Sequence, residues 1–205
     1  DGLGELPYIR ASGYCVATGE RDASITQLRE IREDYLAITR KLSNGKIYAT
    51  DKLPHNFLHI AVIKSAFPEA KIIHVKRSPA ATCWSNYKSY FTSDLRYCYD
   101  LQDLVGYYNL YSDLMCFWND LFPGCIHTVD YEKLTTNQMD ETRSLLNFLE
   151  IGWHSACLYP QKNKRPVSTA SNVQIRQKIY QNSSEAWRSY EPFLNNIFSN
   201  LISQD

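Results

Sequence analysis

A short apolar run that ends in two cations constrains the fold of this chain more than any other feature. Residues 71–75 read KIIHV, a β-branched run of the length of a buried strand, and Lys76 and Arg77 follow it directly. Ser78 suits a helix N-cap and Pro79 the first helical position, since proline has no N–H to leave unpaired there. The stretch therefore predicts a strand that leads straight into a helix, with two cations at the junction.

The same alternation of strand and helix runs along most of the chain. Helical periodicity is found from Ser24 to Asn44-Gly45, over 56–67, from Asp100 to Pro123-Gly124 and over 138–149, and further strands are predicted at 46–51 and 125–131. Strands that alternate with helices indicate right-handed crossovers and a parallel sheet covered on both faces. We predict a three-layer α/β fold with a mainly parallel sheet flanked by helices, in a single domain over residues 1–205.

Composition limits the classes of partner. The net charge of zero argues against a broad basic face for nucleic acid, and no apolar window has the length of a membrane helix or a secretory leader. The six cysteines form no C-x-x-C pair and no zinc spacing. We therefore expect a soluble protein with reduced thiols and no metal, in a cytoplasmic, bacterial-type setting rather than the Golgi lumen. A disulfide in an oxidising compartment stays open.

Three strand ends carry polar groups suited to one ligand. The predicted strands end at Lys52, Arg77 and Tyr131, and the carboxyl ends of parallel strands meet at one edge of a sheet, where ligands bind. Two cations and a phenol fit a phosphorylated aromatic ligand, and Ser85 lies about 10 Å along the following helix. The alternative, that these are solvated strand-end charges and a surface hydroxyl, is about equally supported by the spacing alone.

Four segments, in order, resemble the sulfotransferases, in particular the bacterial, tetratricopeptide-linked and tyrosylprotein sulfotransferase-like branch. VKRSPAATCWSNYKSYF is similar to the family's 3′-phosphate-binding segment, and TDKLPHNFLHIAVIKSAFPEAKIIHVKR to the block that holds a catalytic lysine. VDYEKL resembles the adenine-contacting segment, and RPVSTASNVQIRQKIYQNSSEAWRSYEPFL the C-terminal block. GELPYI at the start is also similar to the segment that supplies the base.

The resemblance implies transfer of a sulfuryl group from 3′-phosphoadenosine 5′-phosphosulfate (PAPS) to an acceptor hydroxyl, leaving adenosine 3′,5′-bisphosphate (PAP), without a metal. The acceptor could be a protein tyrosine, a saccharide or a small molecule. The implied roles are Glu5 as the base, Lys52 at the oxygen that bridges phosphate and sulfate, Ser171 near the transferred group, Arg77 and Ser85 on the 3′-phosphate, Tyr131 on the adenine, and Arg176 in a loop that closes over the nucleotide. His55 is the alternative base, since histidine titrates near neutrality.

The chain departs from the family at two places. No glycine-rich loop close to G-x-P-R-S-G-T-T is found, so we expect the first strand–loop–helix unit of this P-loop NTPase-like fold to be missing and the chain as it stands not to turn over. Lys178 also replaces a proline that is usual in the C-terminal block. A non-catalytic adenosine-nucleotide-binding or interaction module is therefore the alternative function. A P-loop kinase would need a Walker G-K-[ST] motif, which is absent.

Overall fold

The protein is described here by a computed structural model, which defines residues 24–43, 45–91, 95–163, 177 and 179–202. The described residues form two compact units, one up to Ala70 and one from Lys71 onward. The prediction that residues 1–205 form one domain stays a prediction.

The first unit begins with helix α1, Ile25–Ser43, whose start is fixed by a capping box. The hydroxyl of Ser24 accepts a hydrogen bond from the Gln27 backbone N–H at 3.2 Å, and the Gln27 side chain accepts one from the Ser24 N–H at 3.0 Å. Two N–H groups that would have no partner at the helix start are thereby satisfied. The predicted start at Ser24 is confirmed.

A 3₁₀ turn, Pro54–His59, leads into helix α2, Ile60–Ala66, which packs on α1 through an apolar cluster. The buried members of this cluster are Ile31, Val62, Ala66 and Phe67. Arg32 of α1 lies over the Phe67 ring and pairs with Glu69 at 2.6 Å, so its charged head covers the edge of the cluster.

The predicted strand at 46–51 is wrong. In the described residues 45–51 only Asp51 forms a bridge, and the side chains of Ile47 and Tyr48 are 92% and 64% exposed. A strand is stabilised by the ladder it forms with a neighbour and by burial of one face. This segment has neither over the residues that the structure describes.

The second unit contains a parallel pair of strands, β1 at Ile72–Lys76 and β2 at Ile126–Asp130. Their register runs from Ile72 opposite Ile126 to Lys76 opposite Asp130. Both strands were predicted, and each is displaced from its predicted bounds by about a residue, as is usual at element ends.

Helices pack on both faces of this pair, although Ile73 and Val75 of β1 are 40% and 59% exposed. On one face His74 of β1 bonds to Tyr111 of helix α4, Leu101–Leu121, and on the other His127 of β2 stacks on Phe148 of helix α6, Gln138–Phe148, with ring centroids 5.0 Å apart. The α/β architecture with helices on both faces of a small parallel sheet is confirmed.

The other elements of the second unit are short. They are helix α3 at Pro79–Tyr87, helix α5 at Tyr131–Thr136, and 3₁₀ turns at Arg96–Tyr99, Ser155–Leu158, Pro160–Lys162, Ala186–Phe193 and Ile197–Asn200. Helix α4 is capped by the Asp100 carboxylate, which accepts from the N–H groups of Gln102 and Asp103. It ends in a turn in which Gly124 has φ +74°, a conformation that glycine adopts without strain.

The core of this unit joins α3 to α4. Its buried members are Cys83, Cys98, Leu104 and Tyr108. Burial raises the pKa of the Cys83 thiol to about 12, so this cysteine is a neutral core side chain near pH 7. All five cysteines in the described part of the chain are free thiols.

Among the residues that the structure describes, no helix is both long enough and apolar enough to cross a membrane.

Candidate functional site

The carboxyl ends of β1 and β2 bring two predicted site residues side by side. The last pair in the register is Lys76 and Asp130, and Arg77 and Tyr131 are the next residue on each chain segment. The Arg77 guanidinium lies over the Tyr131 ring, with Cζ 5.3 Å from the ring centroid. Such a cation–π contact stabilises the pair by about 0.5–2 kcal/mol.

A turn near the C-terminus supplies two further contacts to Arg77. Its Nε–H donates to the hydroxyl of Ser184 at 3.1 Å, and an Nη2–H donates to the backbone carbonyl of Ser183 at 2.8 Å. Asn182 begins this turn with φ +70°, a left-handed conformation that asparagine tolerates. The turn therefore anchors a side chain that is more than a hundred residues away in sequence.

These contacts use only part of the Arg77 donor set. A guanidinium has five N–H donors in a planar fork. The Nε–H and one Nη2–H, which form the side edge of the guanidinium, donate to the C-terminal turn. No acceptor from the described part of the chain lies on the outer edge, formed by Nη1 and Nη2. The outer edge is the one that can bind a phosphate through two parallel hydrogen bonds.

Tyr131 is held by the same turn. Its hydroxyl and that of Ser183 form a hydrogen bond of 3.1 Å, and the Gln181 side chain donates to the carbonyl of Thr135 at 3.3 Å. The C-terminal segment therefore packs along α5, and Tyr131 is held by Arg77 on its ring face and by Ser183 at its hydroxyl.

Glu132 binds the start of α3 to the same turn. Its carboxylate oxygens lie 3.2 and 3.3 Å from the Ser78 backbone nitrogen, and it also accepts a hydrogen bond from the hydroxyl of Ser184. Ser78 is the N-cap residue, as predicted, but its side chain makes no capping bond. We call Arg77, Ser78, Tyr131, Glu132, Ser183 and Ser184 the strand-end cluster.

Ser85 lies on the helix that leaves this cluster. It is seven residues after Ser78, a spacing that places both on one face of a helix about 10 Å apart along the axis. Its side chain is half-buried and its backbone carbonyl accepts from the Ser89 hydroxyl. The joint contact of Ser85 and the outer edge of Arg77 to a phosphate stays a prediction.

Comparison with known proteins identifies the class to which this arrangement belongs. The model of a family described as "Sulfotransferase family" matches residues 10–155. The chain belongs to the sulfotransferase family. A protein of Aquifex aeolicus (strain VF5), described as an uncharacterized protein, is 37% identical over 177 residues, which cover 85% of this chain and 23% of that relative. The chain thus spans less than a quarter of the relative's length.

The structure does not test the remaining predicted site residues. Lys52 is exposed and lies in the first unit, between the Asp51 bridge and the Pro54–His59 turn. The alternative base, His55, lies within that turn. Glu5, Ser171 and Arg176 lie outside the described residues, so their roles stay predictions.

The strand-end cluster also contains residues that the sequence did not predict. Ser183, Ser184 and Glu132 were assigned no role, although all three lie within segments that resemble the family. Glu132 could have been found as a carboxylate directly after a strand end, beside a tyrosine of the site. The two serines carried no such signal.

The chemistry of the cluster suits an anion rather than a metal. Its outward donors are guanidinium N–H groups beside an aromatic ring, whereas its one carboxylate is already bonded to Ser78 and Ser184. Over the ranges that the structure defines, no group of three or more His, Cys, Asp or Glu side chains could hold a metal ion.

Proposed function

We propose that this chain carries the 3′-phosphate and adenine part of the donor site of a PAPS-dependent sulfotransferase. Family membership supports an enzyme of the transferase class and sulfuryl transfer in general. The observation that carries the finer proposal is the Arg77 guanidinium, which lies on the Tyr131 ring and has no acceptor from the described residues on its outer edge.

The donor groups of the cluster match the two ends of an adenosine 3′-phosphate. A phosphate fits the outer edge of Arg77, and each charge-assisted hydrogen bond of this kind contributes about 1.5–3 kcal/mol. The purine fits beside Tyr131, because aromatic rings stack on heteroaromatic bases. Ser85, on the face of α3 that runs from the cluster, would donate its hydroxyl to the same phosphate.

The reaction would be an in-line displacement in which PAPS supplies the sulfuryl group and leaves as PAP. In this proposal Lys52 neutralises the charge that develops on the leaving phosphate, and Glu5, with His55 as the alternative, takes the acceptor proton. Ser171 binds near the transferred group and Arg176 holds a loop over the nucleotide. The roles of Lys52, Glu5, Ser171 and Arg176 rest on the resemblance of their segments to the family, whereas His55 is the alternative because histidine is a common general base.

The acceptor would be a hydroxyl of a protein tyrosine, a saccharide or a small molecule. We expect the reaction to take place in the cytoplasm and without a metal. No partner other than donor and acceptor is part of the proposal.

Ligand binding by the chain tests the nucleotide site. Thermal shift and calorimetric titration with PAP, AMP and ATP should show the tightest binding for PAP, because only PAP carries a 3′-phosphate. Arg77→Ala should weaken PAP binding at least about tenfold, since it removes the bidentate donor. It should leave AMP binding, which lacks the 3′-phosphate, nearly unchanged.

A matched control is Arg143→Ala. Arg143 has the same charge and a similar contact, with Cζ 5.2 Å from the Trp153 ring centroid, but it is not part of the strand-end cluster. Equal losses of PAP affinity in the two variants would contradict the assignment of Arg77. PAP binding without sulfuryl transfer in the full-length protein would favour the non-catalytic nucleotide-binding module instead.

A further inference from the structure

Glu132 lies at the centre of the strand-end cluster, where one carboxylate joins three elements. It accepts from the Ser78 N–H at the start of α3 and from the Ser184 hydroxyl, and it belongs itself to α5. Ser184 is buried, with 6% of its surface exposed. A carboxylate placed next to a buried hydroxyl controls where the proton of that hydroxyl points.

The orientation of the Ser184 hydroxyl decides whether Arg77 is anchored. A serine hydroxyl has one proton to donate and lone pairs with which to accept. Because the proton is directed to Glu132, the lone pairs are left for the Arg77 Nε–H, which lies 3.1 Å from the oxygen. The order of donation is therefore Arg77 to Ser184 and Ser184 to Glu132.

Loss of the carboxylate would release this chain of hydrogen bonds. The Ser184 hydroxyl could then rotate toward another acceptor, and Arg77 would keep only the Ser183 carbonyl and the Tyr131 ring. An arginine held by fewer contacts samples more rotamers, and each rotamer frozen on ligand binding costs affinity.

We propose that Glu132 is a positioning residue for the phosphate-binding arginine, acting through the Ser184 hydroxyl to turn the outer edge of Arg77 toward the ligand. This inference deepens the proposed function and rests on it. It assigns a favourable effect on anion binding to a negatively charged side chain. Direct electrostatics predicts the opposite sign, since a carboxylate near a phosphate repels it.

The affinity for PAP separates these two effects. Glu132→Gln keeps the size of the side chain and removes its charge, and we expect PAP to bind about tenfold more weakly to it than to the unchanged chain. In an Arg77→Ala background the same substitution should have no further effect, because the residue it positions is gone.

Glu185→Gln is the matched control. Glu185 is in the same turn and has the same charge, but its carboxylate pairs with Arg188 at the surface. We expect the Kd for PAP to stay within about twofold, since the variant removes only an exposed pair. Unchanged or tighter PAP binding in Glu132→Gln would overturn the inference. An equal loss of PAP affinity when Glu132→Gln is made in the unchanged chain and in the Arg77→Ala variant would overturn it as well.

An NMR measurement on the chain without PAP tests the positioning of Arg77 independently of the proposed nucleotide binding. The Arg77 Nε–H, assigned by its loss in Arg77→Lys, should give a slowly exchanging signal in ¹H–¹⁵N NMR spectra of the free chain. Glu132→Gln and Ser184→Ala should broaden or remove that signal, and Glu185→Gln should keep it.

The two experiments fail in different ways. If PAP does not bind the unchanged chain while the Nε–H signal depends on Glu132, the proposed nucleotide site is wrong and the positioning of Arg77 is supported. If the signal is unchanged in both Glu132→Gln and Ser184→Ala, the positioning role is wrong whatever PAP does. Circular dichroism of each variant checks that it is folded.

Discussion

At the scale of single residues, Tyr131 shows how one side chain can serve both the protein and a ligand. Its hydroxyl bonds to Ser183 and one face of its ring carries the Arg77 guanidinium. The hydroxyl therefore holds the C-terminal turn, whereas the ring supports the cation that we assign to the phosphate. The two contributions are separable, because phenylalanine keeps the ring and lacks the hydroxyl.

Two substitutions at Tyr131 should separate stability from binding. Tyr131→Phe should lower the free energy of unfolding by about 1 kcal/mol, the usual cost of one lost hydrogen bond, and change the Kd for PAP less than about threefold. Tyr131→Leu removes the ring and should weaken PAP binding about tenfold. Denaturant unfolding and calorimetric titration measure the two effects.

A control for this pair is Tyr90→Phe, because the Tyr90 side chain is 87% exposed. It should change neither quantity measurably. If Tyr131→Leu binds PAP as tightly as Tyr131→Phe, the ring does not support the site.

The sequence predicted those residues of the strand-end cluster whose position follows from a neighbouring strand, and missed those that bind residues distant in sequence. Arg77 and Tyr131 follow apolar runs directly, so parallel pairing alone predicted that they would be neighbours. Ser183 and Ser184 reach Arg77 across more than a hundred residues, and nothing in a pair of serines indicates which distant side chain they will bind. Glu132 follows a strand end as Tyr131 does, so its place in the cluster was predictable, but its bond to the Ser78 N–H at the other strand's end was not.

At the scale of elements, caps and turns were predictable and an isolated strand was not. The start of α1 at Ser24 and of α4 at Asp100 follow from side chains that bond to backbone groups two or three residues away. The strand expected at 46–51 needed a partner strand, and its composition could not show that only Asp51 would form a bridge within the described residues 45–51.

The cap of α4 offers a test at this scale. The Asp100 carboxylate accepts from the N–H groups of Gln102 and Asp103, at 2.7 and 3.0 Å, at the start of a helix of 21 residues. Asp100→Ala should lower the free energy of unfolding by about 1 kcal/mol, because two N–H groups lose their acceptor and the helix dipole loses a favourable charge. Thermal and denaturant unfolding measure it.

Asp113→Ala is the matched control for the cap. Asp113 is exposed in the middle of the same helix, where alanine is a better helix former than aspartate. It should not destabilise the chain. A loss in Asp113→Ala as large as that in Asp100→Ala would show that capping is not the cause.

At the scale of the whole molecule, the two units can be followed separately because all four tryptophans belong to the second. Trp84, Trp118, Trp153 and Trp187 all lie after residue 70 and outside the first unit. Tryptophan fluorescence therefore reports on the unfolding of the unit that contains β1, β2 and the strand-end cluster. This makes the pH dependence of that unit measurable by itself.

His74 sets the expected pH dependence of the second unit. Burial, with a smaller contribution from the nearby Lys76 charge, lowers the pKa of the His74 imidazole to about 4. Its ring nitrogens face the hydroxyls of Tyr111 and Thr128, which do not require a charged ring. The folded unit thus holds a neutral histidine between β1 and α4.

The sign of the effect follows from the protons bound in each state. Between the unfolded pKa of about 6.5 and the folded pKa of about 4 the unfolded chain binds the proton and the folded one does not, so stability is lost as the pH falls through this window. We expect a loss of up to about 3 kcal/mol between pH 7 and pH 4 from this group. His74→Gln, which stays neutral, should be less stable at pH 7 but should lose little further stability down to pH 4.5.

His154→Gln, at an exposed histidine, should keep the pH dependence of the unchanged chain. The window above pH 4.5 isolates His74 from Glu150, because the Lys71 side chain lowers the pKa of that carboxyl and its protonation destabilises the unit only at lower pH. A His74→Gln variant whose tryptophan-detected stability falls between pH 7 and 4.5 as steeply as that of the unchanged chain would contradict this assignment.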